Sequence, residues 1–253
     1  MVQTVSLKNK VRNQIQTLVN NFKKIVREVK TLLKSPIPEI VNLVSANRLS
    51  YLSKDALNDL FECVTEIEKK GLNGILIEPG CALGGSAIVI ATAKSKCRPL
   101  FVYDVFDMIP PPTEKDGDDI QKRYEVIKSG QSQGIGDDIY YGYQKNLLDK
   151  VVENFRTYNV PVEENYVHLV KGLFEDVLRV EEPVALAHID GDWYSSVMTC
   201  LQQIEPHLIT DGVLVIDDYD RWSGCRKAVD EYFADKRDKY RFVRKSRLHI
   251  VRN

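Results

Sequence analysis

At 253 residues, 43% hydrophobic and 28% charged, the chain has the apolar content for one large core, and one domain is the default expectation. Lys+Arg 35 against Asp+Glu 36 leaves a formal charge of -1, which provides no basic field for nucleic acid. The five cysteines, Cys63, Cys81, Cys97, Cys200 and Cys225, form no CxxC or zinc spacing, and there is neither a long apolar span nor a compact signal core, so a soluble cytoplasmic protein with reduced thiols is expected.

From Lys8 to Lys34 the sequence carries eight Lys/Arg against one acidic residue, Glu28. Val11, Ile15, Leu18, Phe22, Val26, Val29 and Leu33 recur there at three- and four-residue intervals, the mark of an amphipathic helix. SPIPEI stops it, because proline cannot donate the helical hydrogen bond. Residues 1–45 therefore read as a helical extension to a domain over 46–253. A basic amphipathic stripe docks on protein more often than on lipid, which favours a homo-oligomer formed through this helix over a membrane surface.

A second helix starts at the N-cap Ser53, with Leu57, Leu60, Val64 and Ile67 on one face. Apolar runs suited to buried strands then follow at 74–78, 100–104, 166–170, 185–190 and 213–217. Helical patterns separate or follow them at 85–94, 143–158, 174–179, 195–207 and 224–236. Alternation of this kind implies a parallel sheet covered on both faces. YRFVRKSRLHIVRN ends the chain as an antiparallel hairpin, giving an α/β, Rossmann-like, doubly wound sheet of seven strands. The polar stretch over about 106–142, with a short helix at 120–128, is too long for a simple connection and reads as a lid-like insertion.

Ligands in doubly wound sheets bind at the carboxyl ends of the strands. There the first strand ends in EPGCALGGS, whose Gly80, Gly84 and Gly85 allow a tight turn and close backbone approach. Glu78 and Asp104, at the first two strand ends, are placed to accept hydrogen bonds from an amino group and from ribose hydroxyls, so a cofactor containing adenosine fits. Ala82 breaks GxGxxG, which argues against a dinucleotide. HIDGDWY and VIDDYD bring Asp190, Asp217 and Asp218 to the same rim. Gathering three carboxylates without a cation costs repulsion and desolvation, which favours a hard divalent ion, Mg²⁺ first, over the alternative that each acid only caps a helix or faces water.

The ordered set EPGCALGG, FVYDVFDMIPPP, KGLFEDVL, HIDGDWYSS, LITDGVLVIDDYD and GCRKAVDEY resembles the macrocin O-methyltransferase family over roughly residues 45–250. The resemblance implies the class I methyltransferase fold and Mg²⁺-dependent transfer of a methyl group from S-adenosylmethionine to a hydroxyl of a small natural product, such as a sugar or polyketide hydroxyl. Against the class motif E/DxGxGxG, Glu78, Gly80 and Gly84 match, and Ala82 replaces the middle glycine. Ala82, Gly85, Ser86, Phe174, Glu175 and Asp190 join the expected cofactor set, and Asp190, Asp217 and Asp218 are the implied metal ligands. Trp193 stands where the related catechol enzymes carry a lysine base, so that base does not transfer.

The proton acceptor is sought among Asp190, ranked first, Asp192 and His188, the last being more often a core histidine than a base. Tyr140, Tyr141, Trp193, Tyr219 and Trp222 are candidate walls of an acceptor pocket. Two other classes stay open on the residues alone. One is a metal-dependent hydroxylase of related fold, disfavoured by the lack of an HxD/E…H triad; the other is a non-catalytic S-adenosylmethionine-binding assembly module.

Overall fold

The computed structural model describes residues 37–253 together with Gln16. The expected basic helix over 8–34 otherwise lies outside the described residues. Residues 38–253 form one unit built on a seven-stranded sheet of order β3-β2-β1-β4-β5-β7-β6. The strands are β1 (Ile75–Pro79), β2 (Leu100–Asp104), β3 (Val167–Lys171), β4 (Val184–Ile189), β5 (Leu208–Ile216), β6 (Tyr240–Arg244) and β7 (Leu248–Arg252). The first five run parallel, while β7 is antiparallel to β5 and β6, as the apolar runs and terminal hairpin lead one to expect.

β1 and β4 are buried at every position, the signature of strands covered on both faces. Period-two side-chain alternation sends Val213 and Val215 of β5 into one core and Leu214 and Ile216 into the other. The first core is closed by α1 (Glu39–Ala46), α2 (Lys54–Lys69), α3 (Gly85–Ala93) and α5 (Leu147–Thr157). The second is closed by the one-turn α6 (Phe174–Val177), α7 (Tyr194–Ile204) and α8 (Ser223–Tyr232). α4 (Asp118–Lys128) belongs to the insertion after β2. Ser53 caps α2 as expected, its side chain accepting from the Ala56 N–H at 3.2 Å.

Two element starts differ from expectation, and one helix is added. Pro38 of SPIPEI is the N-cap of α1, where its lost N–H is harmless, and Ile40, Val41 and Val44 enter the first core. The helix ending at Ala46 thus packs with the domain that follows it. The helix expected from Tyr143 begins at Leu147, because Asn146 adopts a left-handed φ of 58°. β5 begins at Leu208 rather than Val213: its register jumps from Val184↔Leu208 to Leu186↔Val213, and Asp211, at φ 62°, sits in the resulting bulge. Among the described residues no helix is long and apolar enough to cross a membrane.

Candidate active site

The sheet changes direction between β1 and β4, and the crevice at their carboxyl ends is lined from both sides. Gly80 makes the approach possible. Its φ is +90°, its N–H donates to the Tyr103 carbonyl at 2.7 Å, and a Cβ built on it would lie 2.0 Å from the Asp190 carbonyl oxygen. Asp104 then holds the turn: Oδ2 accepts from the N–H groups of Cys81 (2.9 Å) and Ala82 (3.2 Å), and Oδ1 from Phe106 (2.8 Å). The carboxylate expected to meet a ribose lines the crevice, but much of its accepting capacity organises the loop. Ala82 itself sits at φ 47°, a left-handed position where the class motif has glycine.

The rest of the turn serves packing. A Cβ at Gly84 would meet Val151 of α5 at 3.1 Å, and one at Gly85 would meet the Leu49 carbonyl at 2.4 Å. Neither glycine lines the crevice, nor does Ser86, which is buried in α3. Glu78 is fully buried and shares a hydrogen bond with His188 Nδ1 at 2.7 Å; its Oε2 has no partner among the described residues. His188 is equally buried and lies between Glu78 and Asp217, whose Oδ1 is 3.6 Å from Nε2. Burial alone would depress its pKa, yet hydrogen bonds and charge from Asp217 and Glu78 raise it to about 9. Enclosed by these two carboxylates and lining neither cavity, it braces the strand ends.

The acids divide differently from the sequence expectation. Ligand oxygens of Asp190, Asp192 and Asp218 all lie within 4.8 Å of one another. Asp217 gives Oδ1 to Arg247 Nε at 2.6 Å and stands outside that trio, although it lines the same pocket. The cause is Arg247, next to β7, which draws the side chain away. Burial, then the charges of Asp217 and Asp192, push Asp190 well above the usual carboxylate range; burial, then Asp192 and Asp190, do the same to Asp218. Burial raises Asp192 to about 6, opposed by its hydrogen bond from Trp222 Nε1 at 2.8 Å. Three mutually repelling carboxyls with all-oxygen donors fit a hard divalent cation, which would remove the repulsion.

Two connected cavities meet at this rim. One is lined by Gly80, Asp104, Leu173, Phe174, Glu175 and Asp190, with Ile109, Pro110 and Tyr141 of the insertion. It takes in five of the expected cofactor residues, and its apolar walls suit a planar base. The other is lined by Cys81, Ala82 and the four acids Asp190, Asp192, Asp217 and Asp218, and walled by Tyr51, Tyr140, Tyr141, Trp193 and Trp222. Tyr219 is absent from it, being turned outward to bond Asp230 at 2.7 Å. Tyr51, Arg123 and Arg221 also line it; no periodicity or motif singles them out.

The insertion is fastened to the rim. Trp193 Nε1 donates to the Pro110 carbonyl at 2.9 Å. Asp116 accepts from Tyr194 N–H at 2.7 Å and Asp119 from Ser223 N–H at 3.0 Å. These bonds satisfy orphan donors at the starts of α7 and α8, the two helices that follow the acidic strand ends.

A seven-stranded sheet of this order, a glycine turn after β1 and an acidic rim at β4 and β5 together define the class I methyltransferase fold. Residues 46–240 match the model of the Macrocin-O-methyltransferase (TylF) family, and the chain belongs to that family, whose members are S-adenosylmethionine-dependent O-methyltransferases. Demethyldecarbamoylnovobiocin O-methyltransferase of Streptomyces niveus is 26% identical over 206 residues, covering 75% of this chain and 69% of that protein. Mycinamicin III 3''-O-methyltransferase of Micromonospora griseorubida is 29% identical over 182 residues, covering 70% of this chain and 66% of that protein. The chain thus spans about two thirds of the length of these curated relatives. The structure of the O-methyltransferase NovP superposes with a TM-score of 0.66 at 24% identity over 81% of this chain and 82% of NovP, a likeness of fold.

Proposed function

We propose that the protein transfers a methyl group from S-adenosylmethionine to a hydroxyl oxygen of a small natural product, with a divalent cation, Mg²⁺ first, held by Asp190, Asp192 and Asp218. The observation that carries this reading is the position of Asp190, which lines both cavities: the one walled by the glycine turn and Phe174, and the one walled by acids and aromatics. Donor and acceptor assigned to these cavities would meet at its carboxylate. The relatives named for novobiocin and mycinamicin substrates support a glycosidic or polyketide hydroxyl as acceptor.

When bound, the cation supplies Lewis acidity that eases loss of a hydroxyl proton, and S-adenosylmethionine supplies an electrophilic methyl. The chain's own residues do the rest. Gly80, Phe174 and Glu175 shape the donor cavity, and Asp104 keeps the turn open by holding the Cys81 and Ala82 N–H groups. Trp193, Trp222 and Tyr140 exclude water and orient the acceptor. Asp192, oriented by the hydrogen bond from Trp222 Nε1 at 2.8 Å, is placed to take the hydroxyl proton. Asp190, ranked first from the sequence, lines the same two cavities and is the other candidate acceptor. Calorimetry with S-adenosylhomocysteine, then turnover on hydroxylated glycosides with and without EDTA, tests the reading. Methyl transfer indifferent to EDTA would remove the metal; absence of S-adenosylhomocysteine binding would remove the donor.

A further inference from the structure

The acid-lined cavity is also lined by two arginines, Arg123 from α4 and the exposed Arg221 from the loop after the acidic pair. Around the same rim other arginines are paired: Arg247 with Asp217 at 2.6 Å, and both Arg226 and Arg244 with Asp220. Neither Arg123 nor Arg221 has a carboxylate partner within 4.0 Å among the described residues. Each is held against an aromatic ring instead. The Arg123 guanidinium carbon is 5.7 Å from the Tyr140 ring centre, with Nη2 donating to Ser132 Oγ at 2.8 Å, and that of Arg221 is 5.0 Å from the Trp222 ring centre. Stacking fixes a guanidinium while leaving in-plane N–H donors uncommitted.

Three of the nearby acids already have partners. Asp104 is engaged by three backbone N–H groups, Asp217 by Arg247 and Asp192 by Trp222. The field of Arg221 opposes the rise at Asp192 without forming an ion pair with it. Two planar, fork-shaped donors left over in one cavity match an oxyanion on the molecule that fills it.

We propose that the acceptor carries an oxyanion, a phosphate or a carboxylate, bound by Arg123 and Arg221 while the hydroxyl to be methylated lies at the Asp190–Asp192–Asp218 end. This rests on the methyltransferase reading above and narrows its acceptor to hydroxylated molecules bearing a negative group.

The chain's two tryptophans, Trp193 and Trp222, both line this cavity, so intrinsic fluorescence reports on it directly. The metal-free full chain is titrated with glucose 1-phosphate, with glucuronate and with neutral methyl glucoside. The expected result is a fluorescence change with at least one anion and none with the neutral sugar over the same range. Arg123→Gln and Arg221→Gln should each weaken anion binding by about tenfold, with Arg→Lys at either position falling between, and added salt should weaken it further. A phosphate-only or carboxylate-only response supports the proposal and identifies the group. Equal response to the neutral sugar, no response to either anion, or a double Gln variant that binds like the parent overturns it. S-adenosylhomocysteine binding, measured alongside, separates the failures: if retained without an anion response, only the acceptor proposal falls; if absent from the parent, the methyltransferase reading falls with it.

Discussion

Arg247 Nε lies 2.6 Å from Asp217 Oδ1, and this pair separates one acid of the DDY motif from the other. Asp218 turns toward Asp190 and Asp192, while Asp217 is occupied by a cation of the chain's own. Asp190→Asn, Asp192→Asn and Asp218→Asn should each raise the dissociation constant for Mg²⁺ by about tenfold or more, since each removes charge from a hard-ion site. Asp217→Asn should move it by less than about threefold and instead lower unfolding stability by about 1–2 kcal/mol, through the weakened charge-assisted bond to Arg247. Metal calorimetry and urea unfolding on the four variants decide the matter; a larger metal loss in Asp217→Asn than in Asp192→Asn would restore the ligand set expected from the sequence.

In the glycine turn, two neighbouring positive-φ positions should differ sharply in their tolerance of substitution. Gly80→Ala places a Cβ against the Asp190 carbonyl, a backbone atom that cannot swing aside, so a loss of roughly 3 kcal/mol or more is expected, together with loss of S-adenosylhomocysteine binding. Ala82→Gly relieves a left-handed alanine, worth about 1 kcal/mol, but adds unfolded-chain entropy of similar size. It should leave stability within about 1 kcal/mol of the parent and cofactor affinity within about threefold. Thermal unfolding and calorimetry read both outcomes.

The strands were legible because Ile75–Pro79 and Val184–Ile189 are runs that only a doubly covered strand can bury. The rim was legible for the same reason: acids that follow such runs must emerge at strand ends. What sequence could not supply was the choice of partner across long separations. Arg247 selects Asp217 from 30 residues away, Leu49 makes Gly85 a packing glycine, and His188 is drawn into a buried pair with Glu78, 110 positions earlier. Pro38, read only as a stop, also begins α1, since proline's missing N–H is harmless at a helix start. Arg123 and Arg221 carried no local signal at all.

His249 gives the stability a pH dependence that can be isolated. It is buried on β7 with Nε2 unpartnered among the described residues, and burial first, then the charge of Lys245, lower its pKa to about 4, with Asp59 opposing and His188 adding to the fall. Above its ordinary value near 6.5 it is neutral in both states and costs nothing. As pH falls from 6.5 toward 4 the unfolded chain binds a proton that the folded chain refuses, so stability is lost across that window, on the order of 3 kcal/mol at its foot. Rim carboxyls with raised pKa values act in the opposite direction, so the parent's slope alone is not diagnostic. Urea unfolding at pH 7.5 and pH 5.0 should show His249→Leu losing less stability on acidification than the parent, and equal losses would count against this assignment.

The insertion should act as a fastened cover whose strength is set by Asp116 and Asp119. Asp116 is the stronger tie: it is buried, with Oδ1 accepting from Tyr194 N–H at 2.7 Å and Oδ2 from Thr113 N–H at 2.8 Å, so it joins the insertion to the start of α7 and folds it on itself. Asp119, exposed, joins it to the start of α8 through Ser223. Losing such a cap costs about 1 kcal/mol, more where the orphaned N–H stays buried. Asp116→Ala should therefore speed amide exchange over residues 106–142 and raise acceptor KM several-fold, with Asp119→Ala doing both more weakly. S-adenosylhomocysteine affinity should fall less than acceptor affinity, because Gly80, Phe174 and Glu175 hold the donor cavity from the sheet side while the acceptor cavity depends on Arg123 and Tyr140 of the insertion. Unchanged exchange in Asp116→Ala, or a donor affinity that drops as steeply as the acceptor's, would mean that these carboxylates cap two helices and nothing more.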